Sequence, residues 1–219
     1  MKIDLHVHSK EISNCGRLSI EEIIDLYTKA EYDAIVLTNH FNSETAAILR
    51  ERGINDFHKA FFDCLDQAAA IGKEKGLLIL PGHELRFDCH PKNDYLVFGM
   101  TPGHCRDWQK ICAMTEKEFS EFAAAEGILF YQAHPFRNGM KIVPPEYLFG
   151  IEIKNTHPRH DSRNEIAAAW AEKYQLHKIA GSDCHQTQDV ATSAILTDHT
   201  VATIQDLVHI LKNDLYTIL

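Results

Sequence analysis

Two histidines near the start of the chain are spaced so that they could share a metal ion. In Asp4-Leu5-His6-Val7-His8 the imidazoles lie two residues apart on a strand-like segment, so both point to the same face. Neutral imidazole is the commonest metal ligand among side chains. An H-x-H pair alone is a weak signal, because alternating histidines on a half-buried strand also arise by chance.

Further histidines and carboxylates occur where apolar, strand-like runs end. They are found in Thr38-Asn39-His40, Gly82-His83-Glu84, Ala133-His134-Pro135 and Gly181-Ser182-Asp183-Cys184-His185. In a parallel α/β barrel the C-terminal ends of the strands share one face, so these groups are expected to converge there. Imidazole with carboxylate favours zinc, manganese or iron, whereas calcium prefers oxygen ligands and structural zinc prefers thiolate. The pattern predicts a hydrolytic metal site.

The elements that must position these groups begin with a β-α-β unit. Residues 2–8 alternate apolar and polar side chains, and residues 34–37 are an apolar run, so both are predicted strands. Ser19 and Glu22 have the spacing of a capping box, and apolar residues follow at helical spacing. A helix is therefore predicted between the two strands.

Strand and helix predictions continue to alternate along the chain. The predicted helices are residues 56–75, 115–125, 163–174 and 203–212, and the predicted strands are residues 77–80, 95–98, 128–131, 150–153, 177–180 and 193–196. Such alternation implies a parallel sheet, either closed as a barrel or open, and the number of units favours closure. Because no repeat or flexible linker interrupts the pattern, residues 1–219 are expected to form one domain.

Composition limits the classes of function. The formal net charge of -9 argues against a broad surface for duplex nucleic acid, which is bound by neutralising phosphates. The six cysteines include no C-x-x-C pair, so reduced thiols are expected. The polar start of the chain and the lack of a run of roughly 18 apolar residues predict a cytoplasmic protein without membrane association. The oligomeric state is left open.

The five motifs, taken in order, resemble the polymerase and histidinol phosphatase (PHP) superfamily of metal-dependent phosphoesterases. The matches are to D-x-H-x-H, T-D-H, G-x-E, A-H-P and G-S-D-x-H, and they span almost the entire chain. The resemblance implies an α/β fold, a distorted seven-stranded (β/α) barrel similar to a TIM barrel. It also implies two or three divalent metal ions (Zn, Mn or Fe) and hydrolysis of a phosphate ester by a metal-activated water.

The resemblance also assigns the ligands residue by residue. The first metal would be held by His6, His8, Glu84 and Asp183. Glu84 would bridge to a second metal, which His134 would also bind. His40 and His185 would hold a third metal.

Three departures from the family pattern bear on these assignments. Asn39 replaces the usual Asp before His40, which removes a carboxylate that would orient the imidazole. Residues 13–16 offer no obvious ligand to the third metal. Where many members have a histidine before the strand at residues 95–98, this chain has Asp94, which is predicted as a ligand with Asn93 and His104 as rivals.

Arginine and histidine are the candidate groups for handling a phosphate. Arg137, three residues after His134, is the first candidate because guanidinium matches phosphate bidentately, and Arg17 is a weaker one. If the third metal is absent, His185 could act as general acid to the leaving group.

The leading hypothesis for function is hydrolysis of a small phosphorylated metabolite or nucleotide, with no duplex nucleic acid as partner. One alternative is a PHP-type nuclease or nucleotidase. Another is a metal-binding regulatory protein that has lost catalysis.

Overall fold

The first β-α-β unit has the form that its sequence predicts. In the computed structural model, which describes residues 1–219, β1 is Lys2–Val7, α1 is Ile20–Lys29 and β2 is Ala34–Leu37. Both halves of the capping box form: Ser19 Oγ accepts from the backbone N–H of Glu22, and the Glu22 carboxylate accepts from that of Ser19. The buried face of α1 consists of Ile20, Ile23, Ile24 and Tyr27.

The remaining elements mostly follow the predicted alternation. They are β3 (His40–Phe41), α2 (Ser43–Glu51), α3 (Phe57–Lys75), β4 (Leu78–Pro81), β5 (His83–Leu85), β6 (Tyr95–Phe98), α4 (Trp108–Ala113), α5 (Glu116–Glu126), β7 (Leu129–Gln132), β8 (Gly150–Asn155), α6 (Asn164–Tyr174), β9 (His177–Gly181), β10 (Ile195–Leu196), α7 (Ile204–Lys212) and β11 (Thr217–Ile218). The sequence did not predict β3, α2, β5, α4 or β11, most of which are too short to show a period. No helix is long and apolar enough to span a membrane.

The strands form two mixed sheets rather than one closed ring of seven. Their orders are β11-β10-β1-β2-β4 and β3-β5-β6-β7-β8-β9. An isolated parallel bridge between Val7 and Cys184 connects the end of β1 to the segment after β9. The fold is therefore mixed α/β and consistent with the PHP and TIM-like class, but the predicted seven-stranded barrel is not observed.

The main departure from a parallel barrel is β6, which pairs antiparallel with both β5 and β7. The connection from β5 to β6 contains no helix, since residues 86–94 are turns and irregular backbone. A parallel neighbour would need a longer crossover, usually a helix, whereas a short connection permits antiparallel pairing. In the other sheet, β10 pairs antiparallel with β1 and with β11.

Gly150 begins β8 at a point where a side chain does not fit. A Cβ there would lie 2.2 Å from the backbone oxygen of His177 and 2.5 Å from the ring of Tyr131. Because the backbone of β9 cannot yield as a flexible side chain can, we expect Gly150→Ala to destabilise the fold by about 1–3 kcal/mol.

Thermal unfolding followed by circular dichroism measures this effect. A loss of that size lowers Tm by about 2–4 °C per kcal/mol in a chain of this length. Gly103→Ala is the matched control, because the nearest atom to a Cβ there is 3.6 Å away. Equal melting temperatures for the two variants would contradict the steric argument.

Candidate metal centre

The strand β1 places two imidazoles side by side. Ile3 and Leu5 pack into one hydrophobic cluster, so the alternate residues point to the opposite face. His6 and His8 are fully buried there, and their ring centroids are 5.0 Å apart. Buried imidazoles need polar partners, and the neighbouring strand ends provide them.

Glu84, at the centre of β5, lies among four imidazoles. Its carboxylate oxygens are 3.3 Å from Nε2 of His6, 3.4 Å from Nε2 of His8, 3.1 Å from Nδ1 of His40 and 3.1 Å from Nε2 of His134. The side chain is 2% exposed. One buried carboxylate is therefore in reach of four imidazoles from three separate segments of the chain.

Asp183 follows β9 and brings a second carboxylate to the same place. Its Oδ1 lies 3.4 Å from Nε2 of His6, Nε2 of His8 and Nδ1 of His185. Asp183 has φ 54° and His134 has φ 29°, which is the left-handed region. Such backbone costs about 1–3 kcal/mol for residues other than glycine and concentrates at functional sites.

The electrostatics keep both carboxylates ionised. Burial by itself raises the pKa of Glu84, but the charges of His40 and His6 bring it well below its ordinary value. The pKa of Asp183 is likewise lowered despite burial, chiefly by the charge of His6. Burial lowers the pKa of His6, yet the neighbouring carboxylates raise it well above its usual value.

Three of the buried ring nitrogens within 3.4 Å of the Glu84 carboxylate make no hydrogen bond: Nε2 of His6, Nε2 of His8 and Nδ1 of His40. Buried polar atoms are normally hydrogen-bonded, so these atoms fit the role of ligands to a cation. Three sets of ligand atoms lie within 4.8 Å of one another, namely His6-His8-Asp183, His6-Glu84-His134 and His8-His40-His185. This mixture of imidazole and carboxylate fits divalent transition metals.

Glu152 on β8 supports the cluster and was not anticipated from the sequence. Its fully buried carboxylate lies 2.9 Å from Nδ1 of His6, and it accepts hydrogen bonds from the backbone N–H of His134 at 2.9 Å and from Asn155 Nδ2 at 3.0 Å. A carboxylate on the far nitrogen of a metal-binding imidazole fixes its tautomer and orientation. The available signal in the sequence was a charged residue within the otherwise apolar strand predicted at residues 150–153.

The cluster opens into a cavity of about 420 Å³. It is lined by Cys15, Arg17, His40, Glu84, Arg86, Asp94, His134, Arg137, His157, Arg159, His160, Asp183, His185 and Gln186. A larger cavity of about 700 Å³ beside β10 and β11 has no arginine in its lining. The cavity above the cluster combines histidine, carboxylate and guanidinium groups, so it is the candidate active site.

Arg137 and Arg17, both predicted to contact a phosphate, line this cavity. Arg137 donates to Oδ2 of Asp183 at 2.7 Å and to Oδ1 of Asn155 at 3.2 Å, while its buried Nε–H has no partner. Arg17 is exposed, and its backbone N–H bonds to the carbonyl of His185. Arg137 is thus fixed beside the cluster at the cavity wall.

Asp94, which is predicted as a metal ligand, pairs with an arginine at the cavity. Its carboxylate accepts from Nε of Arg86 at 2.6 Å, and Arg86 in turn pairs with Glu44 at 2.9 Å. The rival residues also have other partners, since Asn93 bonds to the backbone of Lys141 and His104 lies by Glu126. Asp94 thus holds an arginine at the cavity, and its role as a metal ligand stays a prediction.

Asn39, the departure from T-D-H, acts through the loop after β1. Its Oδ1 accepts from the backbone N–H of Ser9 at 2.8 Å and from the hydroxyl of Ser13 at 2.9 Å. The Ser13 hydroxyl lies 3.2 Å from Nδ1 of His8 and accepts from the backbone N–H of His40 at 3.0 Å. The amide therefore organises a loop that contacts both His8 and His40.

The segment at residues 13–16, expected to offer no obvious ligand, contributes the thiol of Cys15. Its Sγ lies 3.2 Å from Nε2 of His40 and 3.0 Å from Nε2 of His185. Burial raises the pKa of this thiol, but hydrogen bonds to the two imidazoles lower it to about 6.

Comparison with known proteins gives both a family match and a shared fold. Residues 161–214 match the family model PHP_C, described as PHP-associated, whereas a search of curated proteins gave no match. PsfC from Pseudomonas syringae PB-5123 is 19% identical with a TM-score of 0.71, over 94% of this chain and 87% of that chain. A proposed metal-dependent phosphoesterase from Bifidobacterium adolescentis is 13% identical with a TM-score of 0.53, over 84% of this chain and 88% of that chain.

Endonuclease Q, in complex with a 27-mer duplex that has an abasic lesion at the active site, also shares the fold. It is 13% identical with a TM-score of 0.63, over 97% of this chain and 56% of that chain. At these identities the structural likeness shows the fold alone. Together with the PHP-associated match, it supports a protein of the PHP superfamily.

The prediction that duplex nucleic acid is excluded as a partner is wrong. Endonuclease Q, which shares this fold over 56% of its own chain, is in complex with duplex DNA, so the fold is compatible with a nucleic acid substrate. The expectation rested on the formal net charge of -9, which averages over the whole chain. Local charge at the site decides phosphate binding, and four arginines line the cavity here.

Proposed function

We propose that this chain hydrolyses phosphate esters with the help of divalent metal ions. The observation that carries the proposal is the convergence of two ionised carboxylates with imidazoles from separate strand ends, where three buried nitrogens beside Glu84 make no hydrogen bond. His6, His8, Glu84 and Asp183 would hold a first ion. Glu84 and His134 would hold a second, and His40 and His185 a third.

Divalent ions at these positions would supply an activated water and stabilise charge on the phosphoryl oxygens. The chain itself supplies positioning. Glu84 reaches ligands of all three positions, and Glu152 holds both the His6 ring and the backbone at His134. The reacting groups are thereby fixed before substrate arrives, which is how an active site lowers a barrier without later rearrangement.

Arg137 is the proposed contact to the phosphoryl group. Its partners Asp183 and Asn155 hold the guanidinium at the cavity wall, where it can donate to a phosphoryl oxygen. Arg17 is a second, more exposed candidate. His185 is the proposed general acid whenever it is not bound to metal, since Cys15 and Asp183 raise its pKa although burial lowers it.

The preferred substrate class is a small phosphorylated metabolite or nucleotide. A cavity of about 420 Å³ encloses a molecule of that size beside the cluster. A second candidate is phosphodiester hydrolysis in nucleic acid, which the shared fold of Endonuclease Q favours. The two classes differ in how binding depends on salt, because contacts to many phosphates release many counterions.

A substrate panel tests the proposal. Protein loaded separately with manganese, zinc or iron(II) is assayed against phosphomonoesters, phosphodiesters, nucleotides and duplex DNA with and without an abasic site. We expect hydrolysis of at least one class, and none above background for His6→Ala/Asp183→Ala. Normal metal content without any turnover would support a regulatory protein that has lost catalysis.

Arg137→Ala is expected to weaken catalysis by about 10²-fold in kcat/KM, because a charge-assisted contact to the phosphoryl group is worth about 2–3 kcal/mol. Arg137→Lys should recover only part of this loss, because ammonium cannot reproduce the guanidinium geometry. Steady-state kinetics on the best substrate measure both values. Arg50→Ala is the control, because Arg50 is exposed on α2. Equal kinetics for Arg137→Ala and this control would contradict the proposed contact of Arg137 with the phosphoryl group.

Metal affinity is expected to rise with pH. Burial lowers the pKa of His40, but Glu84 and Cys15 raise it to about 9. A protonated imidazole cannot bind metal, so the ion must displace a proton at neutral pH, and this competition fades as the pH rises through about 9. Calorimetric titration in buffers of different ionisation enthalpy measures the protons released, and zero release near neutral pH would contradict the expectation.

A further inference from the structure

Cys15 brings a sulfur donor to a place where only histidines were expected to bind metal. It lies on the loop between β1 and α1, His40 is on β3, and His185 follows β9. Its Sγ is 3.2 Å from Nε2 of His40 and 3.0 Å from Nε2 of His185. Three donor atoms from distant parts of the chain thus meet at one point on the cavity wall.

A second observation shows that this convergence is more than an isolated thiol beside two polar groups. His8 is fully buried, its ring stacks on that of His40 at 4.8 Å, and it lies 4.5 Å from the ring of His185. Ring nitrogens of these three histidines lie within 4.8 Å of one another, and Nε2 of His8 has no hydrogen-bond partner. An unpaired buried nitrogen is therefore aimed at the group that Cys15 completes.

The distances suit a tetrahedral ion bound by sulfur and nitrogen. Bonds of about 2.3 Å to sulfur and about 2.0–2.1 Å to nitrogen place the two donor atoms about 3.5 Å apart. The observed separations of 3.0 and 3.2 Å need to widen by only a few tenths of an ångström. The loop that carries Cys15 can provide this shift, because the residue is exposed and outside any helix or strand.

We propose that Cys15 supplies a thiolate ligand which, with His40 and His185, forms a metal position selective for zinc, iron(II) or cobalt(II) over manganese and magnesium. Thiolate is a soft ligand that these ions accept readily, whereas manganese and magnesium favour oxygen. The proposal deepens the proposed function, since it concerns one metal position of the same site. It makes the ion at this position chemically different from those beside Glu84 and Asp183.

Cobalt(II) spectroscopy on the full chain tests the proposal without relying on activity. Metal-free protein is titrated with cobalt(II), and the near-ultraviolet absorption is followed, because a thiolate bound to cobalt(II) gives an intense charge-transfer band that imidazole and carboxylate do not. The variants are Cys15→Ser, Cys15→Asp and Cys89→Ser. Cys89 is the matched control, because it is the other exposed cysteine and lies with His90 and Glu116 in a separate group of potential ligands.

The wild type and Cys89→Ser are expected to show the band, and both Cys15 variants to lose it. Cys15→Asp should still bind as many cobalt ions as the wild type, since carboxylate is also a ligand, and should shift the preference for zinc over manganese by at least about tenfold towards manganese. This variant shows that loss of the band reflects the missing sulfur and not a collapsed loop.

A wild type that binds cobalt without the band would overturn the proposal, as would a band that survives in Cys15→Ser or disappears only in Cys89→Ser. These outcomes are independent of the proposed function. Ester hydrolysis without the band would support the proposed function and contradict the thiolate ligand. A band without hydrolysis would support the thiolate ligand and contradict the proposed function.

Discussion

Glu84→Gln is expected to reduce phosphate-ester hydrolysis by at least about 10³-fold. A metal ion contributes several kcal/mol of transition-state stabilisation, and each 1.4 kcal/mol corresponds to a factor of about ten. Glutamine keeps the volume of the side chain but not its charge. The four imidazoles now 3.1–3.4 Å from the carboxylate would lose their common anionic partner.

The loss should appear in metal content as well as in kcat. Metal per chain after dialysis is measured by elemental analysis, with kinetics on the same preparation. Glu121→Gln, an exposed change of the same type on α5, is the control. Because burial of Glu84 makes folding a concern, circular dichroism must show that the variant keeps its secondary structure. Full metal content and full activity in a folded Glu84→Gln would contradict the assignment of this residue.

Glu152→Gln is expected to weaken metal binding by about 10- to 100-fold, the usual effect of removing a carboxylate that orients a ligand. The carboxylate is fully buried and lies 2.9 Å from Nδ1 of His6. With glutamine, the ring of His6 loses an ionised partner that raises its basicity. The backbone N–H of His134 can still bond to the amide oxygen, so the fold should largely persist.

Competition with a fluorescent chelator measures this affinity, and the kinetics separate positioning from direct catalysis. If Glu152 acts only through His6, saturating metal should restore most of kcat while the metal dependence stays shifted. Glu165→Gln on α6, outside the cluster, is the control. A variant whose metal affinity is unchanged would show that Glu152 serves the fold rather than the site.

The sequence predicted much of the site because strand geometry determines where side chains point. His6 and His8 are two residues apart on β1, so their common face followed from the period of a strand. Glu84, His134 and Asp183 follow apolar runs, and the ends of neighbouring strands meet in space. The capping box at Ser19 similarly identified the start of α1 from two residues.

The parts that the sequence did not predict depend on tertiary contacts. The side chain of Asp94 turns to Arg86, a choice made by a loop whose path no local pattern determines. In the sequence Glu152 is only a charged residue in a largely apolar run. The tertiary fold places its carboxylate 2.9 Å from Nδ1 of His6. β6 is antiparallel to β5 because the connection between them contains no helix. The general alternation of predicted strands and helices did not indicate this.

Cys15 shows the same limitation at the level of chemistry. Its partners His40 and His185 are distant in sequence, and no spacing rule links a cysteine to either of them. The loop that carries the thiol is held by tertiary contacts, among them the hydrogen bonds of Ser9 and Ser13 to Asn39. Sequence motifs therefore located the cluster, while its ligand atoms required the three-dimensional structure.

The most direct test of the central claim is anomalous scattering at metal absorption edges, from crystals grown with zinc or manganese and soaked with phosphate. We expect strong peaks about 2.0–2.2 Å from the carboxylate of Glu84 and the imidazoles of His6 and His134, with phosphate density reaching Arg137. Crystals that bind metal elsewhere but show no anomalous peak within bonding distance of Glu84 and Asp183 would contradict it.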